Sequence, residues 1–482
     1  MRTRRGKSVG TMNKKSLKLI TLGCSKNTVD SERLLAGVSG CYEILPENSR
    51  KRADFLLINT CGFIGDAKEQ SVNTILEAAK GKKQGRAGKL VVFGCLSERY
   101  SKDLPSLIPE VDKWFGVRDF SPLLSFMRAE SGIGNGSESG EDPGANSCEG
   151  NLRGGAAGRQ GGKISGLSGF SSTERYREGI NLPYAYMKIS EGCDRRCSYC
   201  AIPLIRGGHH SIPGEALLSE AKFLAERGVK ELILIAQDST YYGLDLYKKR
   251  TLASLLEKLS QVEGIKRIRL HYSYPEGFPL DVLDVMADNP KICRYLDLPL
   301  QHISDRVLKM MRRSGDSSSI RKLLSTIREK VPGVVLRTTM IVGHPGEEEE
   351  DFRGLLDFVA QTRFERLGAF TYSEEEGTYG ARHYADAVPW EEKERRYAEL
   401  MSLQKEISSA YNLSRVGKEE TLLADEFVGG TLVCRSEFES PDVDGEIFVK
   451  PENEEKGKAL AGQFFKARIS GASDYDLTAE II

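Results

Sequence analysis

Cys193, Cys197 and Cys200 stand within eight residues, in the run EGCDRRCSYC, directly after an apolar stretch from Ala185 to Ile189. The spacing is C-x-x-x-C-x-x-C. A 4Fe–4S cluster closed by protein takes four thiolates. Three local thiolates leave one iron open, and an open iron can chelate the amino and carboxylate groups of a small molecule such as S-adenosylmethionine. Reduced, such a centre passes one electron to the bound cofactor. Cleavage then gives methionine and a 5′-deoxyadenosyl radical able to abstract an unactivated hydrogen. The spacing also admits a zinc knuckle completed by His209 or His210, although structural zinc sites favour paired C-x-x-C motifs.

Three further cysteines have no local spacing but share a position. Cys24, Cys61 and Cys95 each close an apolar run: KLITLGC, DFLLINTC and KLVVFGC. Continuous apolar runs read as buried parallel strands, and ligands of open α/β sheets sit beyond the carboxyl ends of the strands. One buried cysteine is ordinarily a small packing group. Three at equivalent ends of successive βα units predict a shared site and a second cluster. Here too three thiolates leave an iron with a free position, which could hold an exogenous sulfur species. That points to insertion of sulfur into a C–H bond.

The elements that must position these residues follow from periodicity and composition. Residues 1–15 read as a basic tail (Arg2, Arg4, Arg5, Lys7), with Met12 a second candidate start. Residues 16–128 alternate strands and helices and predict an open parallel α/β domain, with KWFGV as its fourth strand. Residues 129–179 are Gly- and Ser-rich without apolar period, and predict a flexible linker in which Cys148 is an unligated thiol. Residues 180–389 carry six apolar strands (AYMKI, ELILIAQD, RIRLHYSYP, YLDLPLQH, VVLRTTMIVG, RLGAFTYS) separated by helices, which predicts a complete or partial parallel βα barrel. Residues 390–411 form a charged connector helix, and residues 412–482 a small all-β barrel. Polar groups near the barrel strand ends are candidates to line the cavity of the cysteine loop: Gln237, Asp238, Gln301, His302 and Arg337. Tyr199 would pack against adenine or sit in the core, and His302 would contact substrate or be structural. The turn from Val342 to Glu347 would touch the cofactor through its backbone or merely join strand to helix. Cys41, Cys293 and Cys434 lie in or beside apolar runs and read as packing residues.

The 482 residues carry 69 basic and 69 acidic side chains, so net charge selects no partner. Ten cysteines over this length are no disulfide scaffold, and clustered thiols suit a reducing compartment. No apolar run reaches the ~18 residues of a membrane span, and the basic start lacks a signal-peptide core. A cytoplasmic protein that need be no more than a monomer is expected.

The strings TLGCSKNTVDSE, INTCGFI, FGC and SEGCDRRCSYCAIP resemble the methylthiotransferases of the radical S-adenosylmethionine superfamily, and the closing β-barrel resembles a TRAM domain. LGCSKNTVDSE, ELILIAQDSTYYG, YLDLPLQHISD, LRTTMIVGHPGE and VDGE are similar to the RimO type, which modifies an aspartate of ribosomal protein uS12. The tRNA-modifying branches typically carry a string such as GCQMN at the first cysteine. His344 stands where that pattern has an apolar or aromatic residue. The resemblance implies two 4Fe–4S clusters, a sulfur-carrying one on Cys24, Cys61 and Cys95 and a radical one on Cys193, Cys197 and Cys200. It also implies S-adenosylmethionine as radical source and methyl donor, a reductant such as flavodoxin, and uS12 as substrate, free or in the small subunit. For Tyr199, Gln237 and Arg337 cofactor contacts are expected.

Charge bears on the branch. From Asn412 to Ile482 there are 15 acidic against 8 basic residues, a net −7. A domain gripping tRNA should be basic, whereas an acidic one attracts a basic ribosomal protein. The alternatives are a tRNA methylthiotransferase and a non-enzymatic, metal-binding ribosome-associated factor.

Overall fold

The computed structural model describes residues 14–132, 168–170 and 173–482. The basic tract with Met12, Cys148 and most of the expected linker lie outside the described residues. Two compact units result, one holding the N-terminal sheet and the other a second sheet with the C-terminal barrel.

The first unit is a five-stranded parallel sheet. Its strands are Lys15–Thr21 (β1), Tyr42–Leu45 (β2), Ala53–Thr60 (β3), Ala87–Gly94 (β4) and Lys113–Trp114 (β5), in the order β2-β1-β3-β4-β5. β3 and β4 read as unbroken apolar runs because both faces are covered, and Leu57, Ile58, Val91, Val92 and Phe93 are fully buried. The edge strands are the poorly legible ones. YEIL alternates too briefly to announce β2, and of KWFGV only Lys113 and Trp114 pair with β4. Helix α1 (Ser25–Ala36) starts immediately after Cys24. Helix α2 spans Gly65–Lys83, and a short α3 (Cys95–Arg99) starts at Cys95 itself. Cys41 is buried, as a packing residue should be, but it is disulfide-bonded.

The second unit opens with a six-stranded parallel sheet: Tyr184–Lys188 (β6), Glu231–Ile235 (β7), Arg267–Leu270 (β8), Ile292–Asp297 (β9), Val335–Val342 (β10) and Arg366–Thr371 (β11). They follow one another in sequence order across the sheet. β6 and β11 remain as edges, so this is the partial form of the expected barrel. Helices lie between the strands, and Gly214–Glu226 (α4), Leu252–Ser260 (α5) and Glu349–Thr362 (α6) bury apolar faces through Leu217, Leu256 and Phe358. The expected linker ends earlier in space than in composition. Arg175 is fully buried, donating to Tyr186 O at 2.9 Å and to Glu220 at 2.8 Å, so the chain is anchored well before β6.

A 24-residue helix, Trp390–Leu413 (α7), leads to the closed barrel Glu419–Val428 (β12), Thr431–Arg435 (β13), Ile447–Val449 (β14), Phe464–Ala472 (β15) and Leu477–Ile481 (β16), in the order β12-β13-β14-β16-β15. Its core of Leu422, Leu432, Ile447, Val449 and Ile469 includes Cys434, a free buried thiol. Cys293 is likewise free and buried, beside Tyr295 and Val335. Among the described residues no helix is long and apolar enough to cross a membrane.

Candidate functional site

The loop of Cys193, Cys197 and Cys200 leaves the carboxyl end of β6 and is fixed from several sides. Gly192 has φ +74°, and a Cβ there would lie 1.9 Å from Gly208 O, so only glycine lets the two segments pass. Cys193 N donates to Gly207 O at 3.1 Å, and a two-residue ladder pairs Ser190–Glu191 with His210–Ser211. Glu191 is a buried hub that accepts from Lys188, from Arg206 at 2.9 Å and from Gln237 Nε2 at 2.9 Å. Burial works against its charge, but Arg206 and Lys188 outweigh it and hold the carboxyl well below the usual range. Arg195 pairs with Asp238 at 2.9 Å and stacks over Tyr274 and Tyr241. Ser198 N donates to Met311 O at 2.9 Å, and Gly380 N donates to Ser198 O at 2.7 Å. The Ser198 hydroxyl lies 3.3 Å from His344 Nε2. Tyr199 Oη accepts from Arg313 at 3.1 Å.

The donor set suits an iron–sulfur cluster. All three thiols are free. Burial pushes Cys193 up to about 12 and raises Cys200 as well, and the neighbouring Cys197 adds to both. Such thiols keep their protons until a metal displaces them. A zinc knuckle would need a fourth donor beside the loop. A cluster makes no such demand, because each thiolate takes its own iron. His209 directs Nε2 to Ser211 Oγ at 3.0 Å, and His210 is exposed. Gln237, just past β7, has a buried Oε1 without a hydrogen-bond partner, an acceptor available to a ligand beside the loop.

The other expected residues divide. Tyr199 and Gln237 belong to the loop's surroundings. Arg337 does not. It is the third residue of β10, in the amino-terminal half of that strand, paired with Asp297 at 3.0 Å and Asp444 at 3.6 Å. It lines a cavity of about 330 Å³ with Arg366, Gln404 and Tyr475. His302 is fully buried, its Nδ1 accepting from Ser304 N at 3.0 Å. The Val342–Glu347 turn is closed on itself, with Glu347 accepting from Gly343 N at 2.7 Å and from Arg396 at 2.9 Å. His344 is buried edge-on to Tyr372 and Tyr384. Sequence reasoning missed Glu191, Arg195 and Arg313, whose importance comes from partners remote in the chain.

In the first unit, β1, β3 and β4 are adjacent and parallel, so Cys24, Cys61 and Cys95 emerge at one edge. A glycine flanks each thiol and lets the segments close. A Cβ on Gly23 would lie 2.7 Å from Cys61 Cβ, one on Gly62 2.7 Å from Leu96 N, and one on Gly94 2.6 Å from Thr60 O. Cys61 and Cys95 are buried, Cys24 is exposed, and none of the three is in a disulfide.

Comparison with known proteins matches three families along the chain. Residues 187–359 match the Radical SAM superfamily, 16–116 match Uncharacterized protein family UPF0004, and 416–482 match the TRAM domain. A ribosomal protein uS12 methylthiotransferase RimO of Bacteroides thetaiotaomicron is 44% identical over 98% of this chain and 99% of its own. The protein of that name from Porphyromonas gingivalis is 44% identical over 98% of this chain and 100% of its own, and that from Christiangramia forsetii 45% over 98% and 95%. Among solved structures, the radical S-adenosylmethionine methyltransferase TsrM of Kitasatospora setae, with cobalamin and a [4Fe-4S] cluster bound, superposes with a TM-score of 0.51 at 15% identity, over 75% of each chain. That likeness is one of fold. With near full-length identity of this order and the three domains in place, the chain is a radical S-adenosylmethionine enzyme and belongs to the RimO methylthiotransferase family.

Proposed function

We propose that the chain places a methylthio group on the β-carbon of an aspartate side chain in ribosomal protein uS12. The observation that carries this reading is two separate three-thiol sets in a chain whose relatives, along 98% of its length, bear the name uS12 methylthiotransferase. In this reading residues 16–128 deliver sulfur, 180–389 generate the radical and 412–482 help dock the protein substrate. Cys193, Cys197 and Cys200 would hold one 4Fe–4S cluster and Cys24, Cys61 and Cys95 a second, each leaving an iron open. When bound, these groups and S-adenosylmethionine supply a radical for hydrogen abstraction, sulfur, and a methyl group. A one-electron donor of the flavodoxin class would reduce them, and the working form would be a monomer.

The chain's own residues orient and shield. Gln237 Oε1 would accept from the cofactor's amino group. Tyr199 would flank the adenine, and Arg337 is left out of that set. Arg195 and Arg313 bring positive charge beside three thiolates, which favours their ionised form. Tyr241 and Tyr274 cover Arg195 and keep water from the loop. The test is mass spectrometry of ribosomal proteins and tRNA nucleosides from cells lacking the gene. Loss of the methylthio group from the uS12 peptide is expected. Loss confined to tRNA nucleosides would contradict the proposal.

A further inference from the structure

Asn27 touches all three thiol-bearing segments of the first sheet, and we infer that it is the positioning residue that sets the spacing of those thiols. The inference rests on the reading that Cys24, Cys61 and Cys95 hold a cluster. The sheet ladder cannot set the spacing alone. It stops at Thr21, Thr60 and Gly94, and every cysteine lies beyond the end of its strand.

Past those ends, Asn27 takes over. It lies in the first turn of α1 and is fully buried. Its backbone N–H donates to Cys24 O at 2.8 Å. Its Nδ2 donates to Leu22 O at 2.8 Å and to Thr60 O at 3.1 Å, the carbonyls two residues before Cys24 and one before Cys61. Its Oδ1 accepts from Cys95 Sγ at 3.8 Å. Its own carbonyl accepts from Asn59 Nδ2 at 2.9 Å, which ties α1 to β3. The amide orientation follows from the partners: backbone carbonyls only accept, so Nδ2 faces them and Oδ1 is left for the sulfur. Metal binding removes the Sγ proton, and with it the bond to Oδ1. Both Nδ2 bonds survive, so the spacing is held through backbone next to two of the cysteines, whatever the state of the third.

The test uses the full chain carrying Cys193→Ala, Cys197→Ala and Cys200→Ala, so that bound iron reports the first sheet alone. Into it go Asn27→Asp, which keeps the shape and loses both donors, and Asn27→Ser, which is smaller and uncharged. Ser31→Ala serves as control. It is buried on the same helix and accepts from the side chains of Thr21 and Asn59, within β1 and β3, but it bonds neither to the backbone beyond those strands nor to a thiol. After anaerobic reconstitution, iron loss to a chelator, the electron paramagnetic resonance spectrum and the thermal midpoint are compared. With two hydrogen bonds removed, iron loss should be about tenfold faster in the Asn27 variants, with an altered spectrum. Ser31→Ala should keep the parent rate and spectrum even where its midpoint falls as far. Parent-like iron loss in the Asn27 variants overturns the inference while leaving the cluster in place, and so does equal loss in Ser31→Ala. Failure of both Asn27 variants to fold, with Ser31→Ala folded, also counts against it, because the amide then supports the domain and not the spacing. A parent that binds no iron overturns the cluster reading itself, and the inference with it.

Discussion

Beside each thiol of the first sheet stands a glycine, and the reason is the room between backbones. Gly62 has an ordinary backbone conformation, yet a Cβ there would meet Leu96 N and Cα and Cys95 C within 2.9 Å, all of them backbone atoms that cannot swing aside. Gly62→Ala should therefore destabilise the first unit by about 1–3 kcal/mol and lower iron retention on that sheet, read by thermal unfolding and iron analysis. Unchanged values in both would contradict the close approach. The three cysteines were legible as the closing residues of apolar runs, but the crowding that requires glycine beside them was not. Asn27 was not, since no periodicity shows which buried amide bridges three strands. His302 gives a prediction of another kind. Burial lowers it to about 3, against Asp351, which works to raise it. In the unfolded chain histidine takes up its proton near pH ~6.5. Between those values the unfolded chain binds a proton that the folded chain refuses. Stability present above pH ~6.5 is thus lost as pH falls toward about 3, at up to ~1.4 kcal/mol per pH unit. His302→Gln should flatten that limb in urea unfolding between pH ~7 and ~5, and an unchanged slope would contradict the assignment.

At the scale of elements, the loop of Cys193, Cys197 and Cys200 stands at a strand's carboxyl end, held by neighbours that arrive from other strands. Glu191 joins β6, through Lys188, to Arg206 and to Gln237 beyond β7. Glu191→Gln would leave two buried cations facing a neutral amide. A cost of about 3–5 kcal/mol is expected, together with faster iron loss from Cys193, Cys197 and Cys200. Chemical unfolding and chelator kinetics read the two effects, and a variant indistinguishable from the parent in both would contradict the hub. The strands and their order were readable because parallel strands buried on both faces are written as apolar runs. Edge strand β2 and the shortness of β5 were not, because edges carry little burial to write. The ion-pair partners of Arg337, Asp297 and Asp444, were not readable either, because both are remote in the chain.

At the scale of the second unit, the C-terminal barrel is joined to the parallel sheet by buried charge. Glu231 meets Arg269 at 2.9 Å and Arg435 at 3.0 Å, Arg366 meets Glu439 at 3.0 Å, and Tyr295 donates to Asp444 at 2.7 Å. Glu439 and Asp444 face Arg366 and Arg337 of the sheet, and Arg435 faces Glu231 in return, so two acids and one base of residues 412–482 are engaged in the joint and not offered to a partner. Composition revealed the acids but not their internal partners. Glu231→Ala should cost about 3–5 kcal/mol by leaving arginines buried and unpaired. It should also split the unfolding of sheet and barrel into two transitions, read by calorimetry. A single transition at the parent midpoint would contradict the ionic joint. The account as a whole depends on two independent cluster sites in one chain. Iron and sulfide counted after anaerobic reconstitution test it most directly, in the parent and in two triple variants, Cys24, Cys61 and Cys95 to Ala and Cys193, Cys197 and Cys200 to Ala. About eight irons are predicted in the parent and about four in either variant. Retention of about eight irons in either triple variant would contradict it.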